Sequence, residues 1–217
     1  MIAAAALLLA DGRTPSGSYA HSAGLEAAVR DGLQAEAVPG FLRGRLRTIA
    51  FTEAALTAAA VHAGDDVDAL LALDSEALAR NPSPSLRVAA TTLGRSVLRT
   101  GVQLYPDAPV LAAYRSRSSS TPRPVAFGVV AGAAGLDPAD AALVALHEDA
   151  ASVAAAAVKL LPVDAGAAGG WIAALEQELM WLAHDAAAVE ELPSLAAPLI
   201  DLRSLARKHH DGRLFAS

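Results

Sequence analysis

Runs of alanine and leucine, separated by short groups of glycine, proline and aspartate, constrain this fold more than any other feature of the sequence. Alanine and leucine have high helix propensities, whereas the aromatic residues that favour strands make up only 4% of the 217 residues. No stretch alternates polar and apolar residues for long enough to indicate a sheet. The chain is therefore predicted to be all-α, a single-domain bundle of roughly eight to ten helices.

The breaking residues place these helices along the chain. The first is predicted to end at Asp11-Gly12, and Ser22 is predicted to cap a second that ends at Asp31-Gly32. Pro39 begins a long helix that continues to about His62. Further helices are predicted at about 65–80, 85–104, 108–115, 125–135, 138–161 and 170–191. Partial turns near Pro193 and Pro198 lead into a polar tail, about 205–217, that we expect to be flexible.

Two of these segments are apolar on every side. Val125–Leu136 contains three glycines, and Ala150–Val158 is almost entirely alanine and valine. Small residues allow close helix approach, so each segment is either a central buried helix or a helix at a subunit interface. The central position is the favoured interpretation, and the interface remains the alternative.

Charge and composition argue against several function classes. The net charge is −6, and the arginine clusters at 43–47 and 115–117 lack interleaved aromatic residues, so we expect solvated surfaces and no nucleic-acid binding. The absence of cysteine excludes disulfides and thiol chemistry and fits a cytoplasmic protein. The apolar residues 1–10 are far short of the roughly 20 that a membrane span requires, so a buried first helix is predicted and no membrane contact.

The segment from Leu9 to Glu26 is different in kind from the rest of the chain. It combines turn-forming residues with a histidine and several hydroxyl groups, which is typical of a surface loop placed for recognition. Ser18 and His21 are close in sequence, but no preceding strand or Gly-x-Ser-x-Gly turn supports a catalytic serine. We therefore interpret the segment as a recognition loop and expect no enzyme activity, with hydrolysis by Ser18 and His21 as a weaker alternative.

Metal and phosphate sites are not predicted either. The histidines lack the helical spacing of a metal pair, and His147-Glu148-Asp149 and His184-Asp185 are expected to lie on exposed polar faces. Gly166–Gly170 lacks the lysine of a phosphate-binding loop. No catalytic, cofactor-binding or metal-binding residue is predicted. The pair His209-His210 is left as a weak transition-metal ligand.

Both ends of the chain resemble the urease accessory protein F (UreF) family. The family begins approximately Leu-Pro-Thr-Gly-Gly-Phe-Ala-His-Ser-x-Gly-Leu-Glu, matched here by residues 14–26, and it closes on Arg-Leu-Phe-x-Ser, matched by residues 213–217. Pro124–Gly128 and Lys159–Val163 resemble two internal segments of the family. Ser16, Ser18, Arg123 and Asp164-Ala165 depart from its pattern, as does a shortened tail before Arg213.

The resemblance implies a non-enzymatic, all-α scaffold for urease maturation. Members form homodimers, bind the accessory protein UreD (also called UreH) and recruit the GTPase UreG, which delivers nickel to apo-urease. The positions that match the two end motifs are expected to bind partners: Pro15, Gly17, Tyr19, His21, Ser22, Gly24, Glu26, Arg213, Leu214, Phe215 and Ser217. The alternative is a small nickel-binding metallochaperone that uses His21 and the His209-His210 tail.

Overall fold

A computed structural model describes residues 4–11 and 22–206 of the chain, without the side chains of residues 201 and 204–206. This part of the chain is helical and contains no strand. The α-helices are α1 (Ala4–Leu9), α2 (Leu25–Arg30), α3 (Val38–Arg45), α4 (Phe51–Ala63), α5 (Val67–Ala79), α6 (Pro84–Leu104), α7 (Pro109–Arg117), α8 (Arg123–Ala133), α9 (Pro138–Leu160), α10 (Ala165–Ala173), α11 (Glu176–Ala188) and α12 (Pro198–Ala206). A 3₁₀ turn covers Ala35–Ala37, and a π-helical turn, Leu46–Ala50, joins α3 to α4 without a break.

Short polar side chains fix where several helices begin. The carboxylates of Asp66, Asp137 and Asp164 accept hydrogen bonds from the backbone N–H three residues later, at 2.8–3.0 Å. Each bond satisfies a donor that the first helical turn leaves without a partner. Ser83 caps α6 in the same way, and a proline follows both Ser83 and Asp137 at the first helical position.

Helix α4 lies between the two halves of the hydrophobic core. One half is formed with α5, α6, α7 and α8, and the other with α2, α3, α9 and α11. Every residue of α8 from Pro124 to Ala131 is buried, which confirms the central position predicted for the Val125–Leu136 segment. Helix α9 is long and apolar enough to span a membrane by length and composition, but most of that stretch is buried inside the protein, as in a core helix.

Two glycines allow these helices to pack closely. A Cβ atom on Gly128 of α8 would lie 2.4 Å from the Thr57 carbonyl oxygen of α4. A Cβ on Gly94 of α6 would lie 1.9 Å from the Thr121 carbonyl oxygen, in the loop before α8. Both distances are far below van der Waals contact, so the two crossings require glycine.

The predicted all-α, single-domain fold is confirmed. With α3 and α4 counted as one helix, the described residues form eleven, slightly more than predicted, because the predicted 170–191 helix is α10 and α11 and because α12 follows the prolines. The predicted Ser22 cap is wrong: α2 begins at Leu25, after Gly24 in the left-handed region with φ +87°. The first helix is half buried, with Ala6 and Leu9 in the core and Leu7 and Leu8 exposed.

Candidate functional site

A groove of about 200 Å³ lies between α2, α4, α6 and α12. It begins beside Ala23 and Gly24, the end of the segment that the sequence singled out. Its apolar wall comes from Ile49 and from half-buried residues of α6, and its polar end comes from the following charged residues: Arg45, Glu53, Arg123 and Asp149. An apolar wall with a few converging polar groups is the usual composition of a binding groove.

The strongest polar contact of the groove joins the end of α3 to the middle of α9. Arg45 Nε donates to both carboxylate oxygens of Asp149, at 3.0 and 2.9 Å, and Arg45 Nη2 donates to Oδ1 at 2.7 Å. The side chains are only 10% and 9% exposed. Burial is the largest single influence and lowers the pKa of Arg45, but the charge and hydrogen bonds of Asp149 together with the charge of Glu53 outweigh it, so the pKa of Arg45 is raised. Arg45 is therefore charged, and its three hydrogen bonds to Asp149 fix its orientation.

A second arginine connects α8 to both α9 and α4. Arg123 Nη2 donates to Glu148 Oε2 at 2.6 Å, and its guanidinium lies 5.8 Å from the ring centroid of Phe127. Arg123 Nη1 lies 3.9 Å from Glu53 Oε2, which is an ion pair without a direct hydrogen bond. Burial raises the pKa of Glu53 more than the two arginines Arg123 and Arg45 lower it. The charged form of the Glu53 carboxylate is therefore poorly stabilised in the groove.

The segment after α11 is held across the groove by hydrogen bonds between its backbone and the side chains of Arg80 and Thr52. Arg80 Nε donates to the Pro193 carbonyl oxygen at 2.8 Å, and Arg80 Nη2 donates to that of Leu192 at 2.9 Å. The Leu195 N–H donates to Thr52 Oγ1 at 3.3 Å. These contacts fix the direction in which the chain enters α12.

Helix α12 closes one side of the groove and packs on α2. Arg203 Nε donates to Asp31 Oδ2 at 2.6 Å, and Ile200 lies against Gly24, where an added Cβ would be 3.2 Å from Ile200 Cγ2. Leu199 and Leu202 on the same helix are 65% and 61% exposed. An anchored helix thus presents two large apolar side chains to solvent, a feature of interaction surfaces.

The structure describes three of the predicted partner-binding residues, and Gly24 among them lines this groove. Ser22 and Glu26 are buried, Glu26 forms an ion pair with Arg30 at 3.9 Å, and Gly24 seats Ile200. Any contribution of Ser22 or Glu26 to recognition is therefore through the shape of the α2 turn. The remaining predicted positions lie outside the described residues: Pro15, Gly17, Tyr19, His21, Arg213, Leu214, Phe215 and Ser217. Ser18, His209 and His210 of the alternative interpretations also lie outside them.

The sequence pattern did not predict the network of buried charged residues at the polar end of the groove. Exposed positions were predicted for the 43–47 cluster and for Glu148 and Asp149. The prediction is wrong for Arg45, Glu148 and Asp149, because these three side chains are almost fully buried. One sequence signal could have indicated this burial. Helix α9 is rich in alanine and valine and must be buried on at least one face, and two consecutive carboxylates lie inside it. Among the described residues no group of three or more His, Asp or Glu is arranged to hold a metal ion.

Known proteins of one family are similar to this chain over most of its length. A family model described as UreF matches residues 33–176. A urease accessory protein UreF from Mycobacterium sp. (strain JLS) is 38% identical over 215 residues, covering 97% of both chains. Proteins of the same name from Mycolicibacterium vanbaalenii and Mycobacterium tuberculosis (strain H37Ra) are 34% and 32% identical, over 97% and 94% of this chain and 97% and 93% of theirs.

Proposed function

The chain belongs to the UreF family of urease accessory proteins, and from that premise we propose that it is a non-enzymatic scaffold for urease maturation. In this proposal it forms a homodimer in the cytoplasm, binds UreD/UreH, and recruits the GTPase UreG so that nickel is inserted into apo-urease. Nickel is the cargo of the assembly in this proposal, not a resident cofactor of this chain.

The observation that carries the proposal is the exposed apolar face of α12. Leu199 and Leu202 are three residues apart and therefore lie on one side of the helix, and Leu195 just before it is 43% exposed. The helix is anchored at the groove by Arg203 and Ile200, so binding there would not require the helix to become ordered first. We assign this face to UreD/UreH, together with the predicted tail motif at Arg213–Ser217.

A second apolar region supports the proposed homodimer. Met180 and Trp181 of α11 are 47% and 61% exposed, and large apolar or aromatic side chains of this kind are frequent in subunit interfaces. They lie on a helix whose other face, Leu179 and Leu182, is packed into the core. The proposed dimer therefore buries side chains that are presented by a rigid helix.

The α12 assignment is tested by capture of purified UreD/UreH with the full-length chain. Leu199→Asp is expected to weaken capture at least about tenfold, because it places a charge in an apolar contact. Leu7→Asp is the matched control, since Leu7 on α1 is 68% exposed, and it is expected to bind as the wild type does. Equal capture by Leu199→Asp and the wild type, with both chains helical by circular dichroism, would rule out the α12 face.

Two further measurements separate the remaining roles. Addition of UreG to the captured complex is expected to give a ternary complex, and its absence would remove the recruitment step from the proposal. Equilibrium dialysis against Ni²⁺ tests the metallochaperone alternative based on His21, His209 and His210. Stoichiometric micromolar binding that is lost when these histidines are replaced by alanine would favour that alternative over the scaffold.

A further inference from the structure

The charges of this chain are distributed very unevenly. Residues 84–124 contain six arginines and one acidic residue, Asp107, which gives this segment a net charge of +5. The rest of the chain has eleven basic and twenty-two acidic residues, a net charge of −11. A local excess of positive charge on an acidic protein attracts anionic partners to one place.

Four of these arginines are exposed on the adjoining helices α6 and α7, and we call them the basic face: Arg95 and Arg99 on α6, and Arg115 and Arg117 at the end of α7. Arg95 and Arg99 are one helical turn apart, and Arg95 Nη2 donates to the Ser119 carbonyl oxygen at 3.3 Å, which joins α6 to the loop after α7. Arg117 Nη2 contacts Asp68 Oδ1 at 2.5 Å. Within the described part of the chain, no carboxylate oxygen lies within 4.0 Å of Arg95, Arg99 or Arg115.

A buried polar cluster holds the two parts of the basic face in a fixed position. Asp74 of α5 is 3% exposed, and it accepts hydrogen bonds from Tyr114 Oη at 2.5 Å and from Ser118 Oγ at 2.6 Å. The loop then continues through Thr121, which has a φ of +48° that is unusual for a β-branched residue, and packs against Gly94 of α6. The arginines at the end of α7 are thereby fixed relative to those on α6, so little ordering is needed when an anion binds.

We propose that the basic face is a docking surface for an acidic segment of a partner protein. Three arginines that have no carboxylate partner among the described residues, carried by two helices that pack together, match a short run of Asp or Glu residues. Val88 is 68% exposed and lies on the same α6 stripe as Thr92, Arg95 and Arg99, so an apolar contact is available beside the charges.

The surroundings of the face favour a protein segment over a nucleic acid. The two tyrosines of residues 84–124, Tyr105 and Tyr114, are half-buried and buried, so neither offers an exposed ring for base stacking. A long polyanion would also extend beyond the face toward the rest of the chain, whose net charge is −11. A short acidic peptide avoids both problems.

The test uses full-length protein and a fluorescein-labelled peptide of six glutamates, with binding followed by fluorescence anisotropy at low ionic strength. The variant Arg95→Gln/Arg99→Gln is expected to bind the peptide about tenfold more weakly than the wild type, and added salt is expected to weaken wild-type binding. The control is Arg43→Gln/Arg47→Gln, which removes two arginines at the same spacing that lie outside the basic face, on α3 and the π-helical turn, where both contact Glu178. It has the same net charge and is expected to bind within about twofold of the wild type.

Three results would overturn the proposal. The first is no measurable peptide binding by the wild type, and the second is an equal loss in the two double variants, which would reduce the effect to net charge. The third is tighter, Arg95-dependent and Arg99-dependent binding of a single-stranded oligonucleotide of equal charge, which would assign the face to nucleic acid. Circular dichroism and a thermal melt of each variant confirm that the fold is intact.

Discussion

Replacement of Gly94 by alanine is expected to destabilise the protein although it improves the helix propensity of α6. The added Cβ would lie 1.9 Å from the Thr121 carbonyl oxygen and 2.8 Å from the Pro122 carbonyl carbon, both of them backbone atoms. Helix α6 or the loop must therefore move by about 1 Å or more, and overpacking of this kind costs about 1–3 kcal/mol or more. We place the cost near the top of that range. The gain in helix propensity offsets about 1 kcal/mol of it, so the net loss of stability is about 2 kcal/mol.

Gly44 provides the matched control for Gly94→Ala. It also lies inside a helix, but an added Cβ there would meet no atom within 4 Å, so Gly44→Ala is expected to gain about 0.5–1 kcal/mol. At about 2–4 °C per kcal/mol for a chain of this size, Gly94→Ala should lower the Tm by about 4–8 °C and Gly44→Ala should raise it by about 1–4 °C. Differential scanning calorimetry measures both shifts. A Gly94→Ala variant as stable as Gly44→Ala would refute the close approach of α6 to the Thr121 loop.

Three further single variants and one double variant test the buried polar groups by urea unfolding. Burial raises the pKa of Glu53 above its ordinary 4.5, so just above that pH the folded state binds more protons than the unfolded chain and stability falls as pH rises. Glu53→Gln should remove this fall in stability. At pH 7 the variant should be more stable than the wild type by less than about 1 kcal/mol, because the carboxylate is partly exposed. A variant that is less stable than the wild type at pH 7 would contradict this reasoning. Arg45→Met should cost about 3–5 kcal/mol by leaving Asp149 buried without its partner, and Arg45→Met/Asp149→Leu should recover most of it. A double variant no more stable than the single one would show that the charge is not the cause. Tyr114→Phe should cost about 1–3 kcal/mol through the lost hydrogen bond to Asp74, and a loss within measurement error would remove Asp74 as the support of the α7–α8 loop.

The sequence was sufficient for most of the helices because their ends are marked by local chemistry. Asp66 caps α5 as the pattern at 65–80 predicted, and the first part of the apolar 125–136 segment lies in the central helix α8. The start of α2 could not be predicted from Ser22, because the left-handed conformation of Gly24 depends on a turn that a sequence of small residues does not specify. The break between α10 and α11 also has no strong sequence signal, since Leu175 is a good helix former.

The candidate site was harder to predict than the fold because its charged groups meet only in three dimensions. Arg45 and Asp149 are 104 residues apart, Arg45 lies between two other arginines in sequence and Asp149 follows two polar residues, so the pattern favoured solvated faces. The groove beside Gly24 was predictable in position, since the loop motif ends there. Its composition depends on α12 packing back onto α2, a long-range contact that helix periodicity does not contain.

The buried ion pairs explain how the groove keeps its shape in a chain made mostly of small apolar residues. Arg45 ties α3 to α9, Arg123 ties α8 to α9, and Arg80 holds the segment that leads to α12. Alanine side chains form only shallow ridges and grooves, so packing between alanine-rich helices favours no single register strongly. Charge pairs with fixed geometry, by contrast, define one register, and this is the role that we infer for the network.

A mass measurement tests the proposal that the protein is a dimeric scaffold that assembles urease maturation proteins. Size-exclusion chromatography with light scattering, applied to the protein alone and then mixed with UreD/UreH and UreG, gives the composition of each species. The scaffold account predicts twice the 22.0 kDa chain mass for the protein alone and a stepwise increase as each partner is added. A monomer that elutes unchanged in the presence of both partners would contradict it.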